Sequence, residues 1–129
     1  MKKYDGANRD PLTGKVIAIC YKVHADLGPG FAERIYLKAV KKLLKDAGVL
    51  YEAERDFEVV FEGEKMGKFR ADLVIQKELI VELKAVFGRM PKVFESQVIS
   101  YLKASGLKVG LLVNFGNRSC EVRRLMVEP

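Results

Sequence analysis

The amino-acid sequence predicts a layered α/β domain, in which one sheet of mixed direction is flanked by helices in the order α-α-β-β-β-α-β-β. Three observations support this fold class. The first third of the chain has apolar residues at helical spacing, the stretch after Glu54 is rich in Val, Phe and Ile, and a third helical pattern precedes two short apolar runs. We expect an N-terminal tail over residues 1–11 and a single domain over residues 12–129.

Two helices joined by a tight corner are predicted at the start of the domain. Residues 12–27 carry apolar side chains at the spacing of one helical face. The sequence GPG at residues 28–30 breaks this helix. The helical period resumes over residues 31–48, where Gly48 suits a C-terminal cap.

Five strands and one further helix are predicted in the rest of the chain. The third helix is expected over residues 91–105, with Pro91 in its first turn. The strands are expected at residues 54–62, 68–76, 78–86, 108–116 and 120–127. The first three form a meander, the fourth is as apolar as a buried strand, and the last is expected at the sheet edge.

The composition fits one folded domain with a polyanionic partner. At 129 residues the chain is long enough to bury a single core. Lys and Arg outnumber Asp and Glu by 23 to 17, and the resulting charge of +6 is compatible with nucleic acid as a partner. No apolar run approaches the roughly 20 residues of a membrane span, and the two cysteines match no zinc spacing. We therefore expect a cytoplasmic protein with no membrane partner.

One predicted strand carries charges where apolar residues are expected. In IVELKAV, residues 80–86, strand alternation places Glu82 and Lys84 on one face between two apolar residues. Asp72 of the preceding strand joins them if the two strands pair through the turn QKE. Two carboxylates and an ammonium on a half-buried surface cost several kcal/mol of desolvation unless something compensates them.

Two interpretations of this cluster are open. In the first, Lys84 forms a plain ion pair with Glu82 and Asp72 on a solvated face of the sheet. In the second, Asp72, Glu82 and the backbone carbonyl of Leu83 hold a divalent cation, and such hard oxygen ligands suit Mg²⁺ or Mn²⁺. Lys84 would then orient or help deprotonate an attacking water and stabilise charge that develops on a phosphate.

Separate stretches of the chain together resemble one protein family. Asp72, nine intervening residues and E-L-K at residues 82–84 are similar to the D…(D/E)-x-K signature of the PD-(D/E)XK nuclease superfamily. The segment GPGFAERIY, residues 28–36, resembles the G-x-x-E-x-x-Y signature that names one branch of that superfamily. SQVISYLKASGLKVGLLVNFG is similar to the helix and strand that close the same domain. Ala71 departs from the pattern, because a proline often stands before the first acid.

The resemblance implies a restriction-endonuclease-like core in which the two acids bind a metal ion and serve phosphodiester hydrolysis. It implies that Glu33 joins them as a further acid and metal ligand, and that Gln97 orients the water or a phosphate. Supporting roles are implied for His24, Tyr36 and Tyr101. From the residues alone, Glu33 equally suits a helix N-terminus, and the other three equally suit core packing.

The sequence therefore predicts a metal-dependent nuclease in which Asp72, Glu82, Lys84, Glu33 and Gln97 are catalytic and Mg²⁺ or Mn²⁺ is the cofactor. The alternative is a non-catalytic module of the same fold that binds nucleic acid or a protein partner. Neither DNA nor RNA is favoured as the substrate, and either a monomer or a homodimer is compatible with the sequence.

Overall fold

The computed structural model describes residues 10–128 and the backbone of Lys2–Lys3. It confirms the α/β class and the order of two helices, three strands, one helix and two strands. The helices are α1 (Pro11–Leu27), α2 (Glu33–Asp46) and α3 (Val93–Ser105). The strands are β1 (Lys2–Lys3), β2 (Tyr51–Phe61), β3 (Glu64–Ile75), β4 (Leu79–Lys84), β5 (Val109–Asn114) and β6 (Glu121–Met126). The two-residue strand β1 falls in the segment expected to be a tail and was not predicted.

The six described strands form one sheet in the order β1-β6-β5-β4-β3-β2. Strands β4 and β5 are parallel, and the other neighbouring pairs are antiparallel. A parallel pair requires a crossover connection, and α3 lies within that connection. The prediction that the last strand lies at the sheet edge was wrong, because β6 lies between β5 and β1, where Lys2 pairs with Met126.

Alternate residues of β4 face two different helical layers. Val81 and Leu83 belong to the core that α1 and α2 cover, whereas Ile80 belongs to the core that α3 covers. The alternation predicted for this strand is therefore confirmed. Helix α3 packs so closely on the sheet that a Cβ atom added to Gly110 would meet Val98 Cγ1 at 2.7 Å.

The hairpin of β2 and β3 bends in the middle of both strands. The ladder pairs Ala53 with Leu73 and next Arg55 with Ala71, while Glu54 between them has a φ of 53°. Leu73 packs in the core beneath α1 and α2, whereas Ala71 packs in the core beneath α3. The bend therefore turns the outer half of the hairpin towards α3.

Three stacked aromatic rings hold the outer half of the hairpin against α3. The centroid of Phe57 in β2 lies 5.2 Å from that of Phe69 in β3, and the centroid of Phe69 lies 4.0 Å from that of Tyr101 in α3. Such pairs contribute about 0.5–1.5 kcal/mol each beyond the area that they bury. Tyr101 is thereby held between the hairpin and the middle of the sheet.

Helices α1 and α3 start by different means. At α1, Asp10 accepts hydrogen bonds from the backbone N–H of Thr13 at 2.8 Å and from its hydroxyl at 2.9 Å, as a good N-cap does. Helix α3 begins at Val93, so Pro91 precedes the helix instead of lying in its first turn. The Pro91 carbonyl accepts the N–H of Phe94 at 3.2 Å.

None of the described helices has the length and apolar character of a membrane span.

Candidate active site

The ladder between β3 and β4 opens where the predicted acids lie. The last regular pair is Leu73 with Val81. At the next position the backbone N–H of Asp72 donates to Glu82 Oε1 at 2.9 Å, and the N–H of Leu83 donates to Asp72 Oδ2 at 2.8 Å. Side-chain carboxylates thus replace the backbone bonds of the ladder, and each carboxylate has one oxygen held by a backbone N–H.

Burial disfavours the charged forms of Asp72 and Glu82. Glu82 is only 4% exposed, and burial, followed by the charge of Asp72, raises the pKa of its carboxyl to about 8. Burial also raises the pKa of Asp72, although the bond from Leu83 N–H and the charge of Lys84 oppose this. The pair therefore holds a proton near neutral pH unless a cation balances its charge.

Lys84 ends β4 on the same face as Glu82. Its Nζ lies 4.3 Å from the ring centroid of Phe94, which precedes the predicted Gln97 by one turn of α3. The charge of Lys84 lowers the pKa values of Glu82, Asp72 and Glu33, but in each case burial is the larger influence and raises them. One ammonium thus compensates the surrounding carboxylates only in part.

Glu33 reaches this cluster from the first residue of α2. Burial raises the pKa of its carboxyl, and the charge of Asp72 raises it further. Tyr36 fixes the corner before this helix, because its hydroxyl donates to Gly28 O at 2.6 Å and accepts the N–H of Phe31 at 3.2 Å. Tyr36 is itself fully buried, so the structure places it in the core, where it positions the start of α2.

The remaining predicted residues lie on helix α3. Phe94, Gln97 and Tyr101 recur at three- and four-residue spacing and so share a helical face. Phe94 contacts Lys84, and the pKa of Tyr101 is raised by burial and then by the charges of Glu82 and Asp72. Gln97 lies between these two positions on the same helical face.

His24 is not brought to the acids by any hydrogen bond found among the described residues. Its Nε2 lies 2.7 Å from the carbonyl oxygen of Asn117, and its ring centroid lies 6.3 Å from that of Phe115. His24 is buried at 8% exposure and supports the loop between β5 and β6. The structure thus places it with the fold's packing, at the end of α1.

One acid near the site was not singled out from the sequence. Glu54 lies opposite Asp72 at the bend of the hairpin, and its charge contributes to the raised pKa of Asp72. Its sequence neighbourhood, a strand with an acid at every second position, is typical of a solvated edge. Only the pairing register, which the sequence does not state, brings it beside Asp72.

The donor set fits a hard divalent cation that keeps several waters. Among the described residues, no three His, Cys, Asp or Glu side chains converge as a ready-made cage. Mg²⁺, however, is commonly held by one or two carboxylates plus water and phosphate. Asp72 and Glu82 supply two carboxylates, and the carbonyl of Leu83 lies beyond the last ladder pair of β3 and β4. The negative charge that Lys84 leaves uncompensated is of the sign that such a cation neutralises.

Comparison with known protein families shows which family the chain belongs to. A family model described as the PD-(D/E)XK nuclease superfamily matches residues 10–125. The chain therefore belongs to the PD-(D/E)XK nuclease superfamily. No curated protein matches the chain.

A solved structure supports the fold. The crystal structure of a protein called SSO0001 is similar to this chain, with a TM-score of 0.59 and 22% sequence identity. The similarity covers 74% of this chain but only 50% of that one, so this chain spans about half the length of its structural neighbour. At this identity the likeness concerns the fold alone.

Proposed function

We propose that this protein is a metal-dependent nuclease that hydrolyses phosphodiester bonds in nucleic acid. The observation that carries the proposal is the buried pair of Asp72 and Glu82, whose carboxylates are held by backbone N–H groups and whose negative charge Lys84 balances only in part. Membership of a nuclease superfamily and a charge of +6 support it.

Asp72, Glu82 and the Leu83 carbonyl hold Mg²⁺ or Mn²⁺ in this proposal, with Glu33 as a further acid. When bound, the metal supplies a Lewis acid for a phosphate oxygen and lowers the pKa of a bound water. Lys84 positions the attacking water and stabilises the charge that develops on the phosphate. Gln97 orients the same water or a phosphate oxygen from α3.

We also propose membership of the branch named for G-x-x-E-x-x-Y. Both the sequence and the structure support this proposal. Gly30 has a φ of 111°, and the Tyr36 hydroxyl forms hydrogen bonds with backbone groups of Gly28 and Phe31. Glu33 is the first residue of α2, beside the acids. In this proposal the glycine and the tyrosine shape the corner and the glutamate serves the site. A cytoplasmic location and a monomer or homodimer complete the proposal.

Cleavage of labelled single- and double-stranded DNA and RNA tests the nuclease. With Mg²⁺ or Mn²⁺, the wild type cuts at least one substrate, and chelator stops the reaction. Lys84→Ala lowers cleavage by about a hundred-fold or more, because it removes a group aimed at the developing charge. Lys103→Ala, which removes an exposed lysine of α3, leaves the rate unchanged.

Two results would contradict this assignment. Unchanged cleavage in Lys84→Ala would remove Lys84 from the mechanism. Absence of metal-dependent cleavage by the wild type on every substrate, together with retained nucleic-acid or protein binding, would favour the non-catalytic module.

A further inference from the structure

The loop after β4 exposes one aromatic ring completely. Phe87 follows Lys84 by three residues and is 93% exposed, the highest exposure among the large hydrophobic residues that the structure describes. Water-exposed phenylalanine contributes nothing to the core, so packing gives no reason for its presence here. Three residues of chain span at most about 11 Å, so the Cα atom of Phe87 lies within about 11 Å of that of Lys84 in the candidate active site.

Two asparagines hold the backbone on both sides of this ring. Val86 N–H donates to Asn114 Oδ1 at 2.9 Å, and Asn114 Nδ2 donates back to Val86 O at 3.0 Å. Gly88 N–H donates to Asn117 Oδ1 at 2.8 Å, and Asn117 Nδ2 donates back to Gly88 O at 2.8 Å. Each neighbour of Phe87 thus has both backbone groups bonded to a side-chain amide.

Close packing beneath the loop adds to this restraint. A Cβ atom added to Gly116 would lie 2.2 Å from the carbonyl oxygen of Val86, so the two loops touch backbone to backbone. The Glu121 carboxylate accepts from both asparagine amides, from Asn114 at 3.2 Å and from Asn117 at 2.9 Å. The ring of Phe87 therefore projects from a fixed backbone, and little ordering cost remains to be met on binding.

The surroundings of the ring are cationic. Arg89 and Lys92 follow Phe87 in the same loop, and Arg118 is next to the Asn117 that binds Gly88. All three side chains are exposed, and no ion pair is seen for them in the part of the chain that the structure describes. A protein–protein interface has a broad apolar centre, whereas one aromatic ring with exposed cations close by in the chain suits a base whose flanking phosphates meet Arg and Lys.

We propose that Phe87 is a stacking platform for an unpaired base of single-stranded nucleic acid next to the candidate active site. This inference rests on the proposed function and deepens it, because it names single-stranded DNA or RNA as the preferred ligand. At about 3.4 Å per stacked nucleotide, the ring contacts a base within about three nucleotides of the phosphate at Lys84. Bases in a duplex keep their own stacking partners and present no free face to the ring.

Binding measured without cleavage tests the proposal. Fluorescence anisotropy in EDTA compares short labelled single-stranded DNA, single-stranded RNA and a DNA duplex at one fixed salt concentration. Phe87→Ala weakens binding of the single strands about ten-fold or more, and it changes duplex binding less than about two-fold. Phe87→Trp restores the single-strand affinity, and the better-bound single strand identifies DNA or RNA as the ligand.

Phe61→Ala is the matched control. Phe61 is 66% exposed at the tip of the hairpin, opposite Glu64, which is separated from Asp72 by up to about 26 Å along β3. This variant binds the single strands as tightly as the wild type. Because Phe87 and Phe61 are both exposed, neither substitution removes core packing, and thermal melts confirm that both variants are folded.

Three results would overturn the stacking role. These are wild-type affinity of Phe87→Ala for both single strands, an equal loss of duplex affinity, and failure of Phe87→Trp to restore binding. Cleavage with Mn²⁺ is measured separately. A wild type that binds through Phe87 but does not cut would refute the nuclease and leave the platform; a wild type that cuts while Phe87→Ala binds normally would refute only the platform.

Discussion

Glu82 couples the candidate site to pH. Its carboxyl has an ordinary pKa of 4.5, which burial and the charge of Asp72 raise to about 8 in the folded chain. Between these two values the folded state keeps a proton that the unfolded state has lost. In metal-free protein this contribution to stability is complete below about pH 4.5 and is lost as the pH rises to 8, with a slope of at most about 1.4 kcal/mol per pH unit.

The variant Glu82→Gln tests this pH dependence. Its amide oxygen still accepts the N–H of Asp72, but the side chain no longer titrates, so the decline in stability above pH 5 becomes shallower. Thermal melts in chelator between pH 5 and pH 8 measure the difference. Glu78→Gln, at an exposed turn residue between β3 and β4, keeps the wild-type slope. The same slope in Glu82→Gln would show that another group carries the proton.

At the residue scale, the sequence predicted the features that depend only on the alternation of side chains along a strand. Glu82 and Lys84 share a face of β4 because side chains alternate along any strand, and this needs no knowledge of the fold. Glu54 escaped notice because its proximity to Asp72 depends on the register of the hairpin and on a bend with a left-handed φ. Phe87 escaped for a similar reason, since exposure of an aromatic residue in a loop is a property of the folded chain.

At the element scale, the corner between α1 and α2 depends on one hydroxyl. Tyr36→Phe removes the donor to Gly28 O and the acceptor of Phe31 N–H while keeping the ring that stacks on Phe115 at 4.6 Å. We expect a loss of about 1–3 kcal/mol in the free energy of unfolding, because both backbone groups lose their partner in a partly buried corner. Urea unfolding at constant pH measures it.

Tyr21→Phe is the control for the corner. Tyr21 lies on α1 and is 49% exposed, so removal of its hydroxyl changes the free energy of unfolding by less than about 0.5 kcal/mol. Equal stability of the two variants would show that Tyr36 holds the corner by ring packing alone. In that case the hydroxyl would have no part in placing Glu33.

Element order was predictable because glycine, proline and periodicity mark it locally, whereas element placement was not. The bounds of α1 and β4 follow the pattern to within a few residues, yet α3 starts after Pro91. The position of β6 depends on pairing with β1, and a two-residue strand has no periodicity to detect. Contacts between distant segments decide such features.

At the scale of the whole molecule, the buried carboxylates of the candidate site disfavour folding of the metal-free protein. The chain as a whole carries a charge of +6, but at the opening of the sheet the charge of Asp72 raises the pKa values of Glu33 and Glu82, and the charge of Glu33 raises that of Glu82 further. Removal of one of these like charges relieves the repulsion. Asp72→Asn should therefore melt at a higher temperature than the wild type in chelator at pH 8, at the expense of function.

Addition of Mn²⁺ should reverse that order. A cation that binds only the folded chain stabilises it by about 2.7 kcal/mol at a concentration a hundred-fold above its Kd. At pH 8, Mn²⁺ should raise the free energy of unfolding of the wild type by this amount. It should raise that of Asp72→Asn only a little, because this variant lacks one ligand. Asp46→Asn, at an exposed ion pair with Lys42 on α2, should gain as much as the wild type. Equal gains in all three proteins would mean that Mn²⁺ binds elsewhere, and the ion-pair interpretation of Asp72, Glu82 and Lys84 would then replace the metal site.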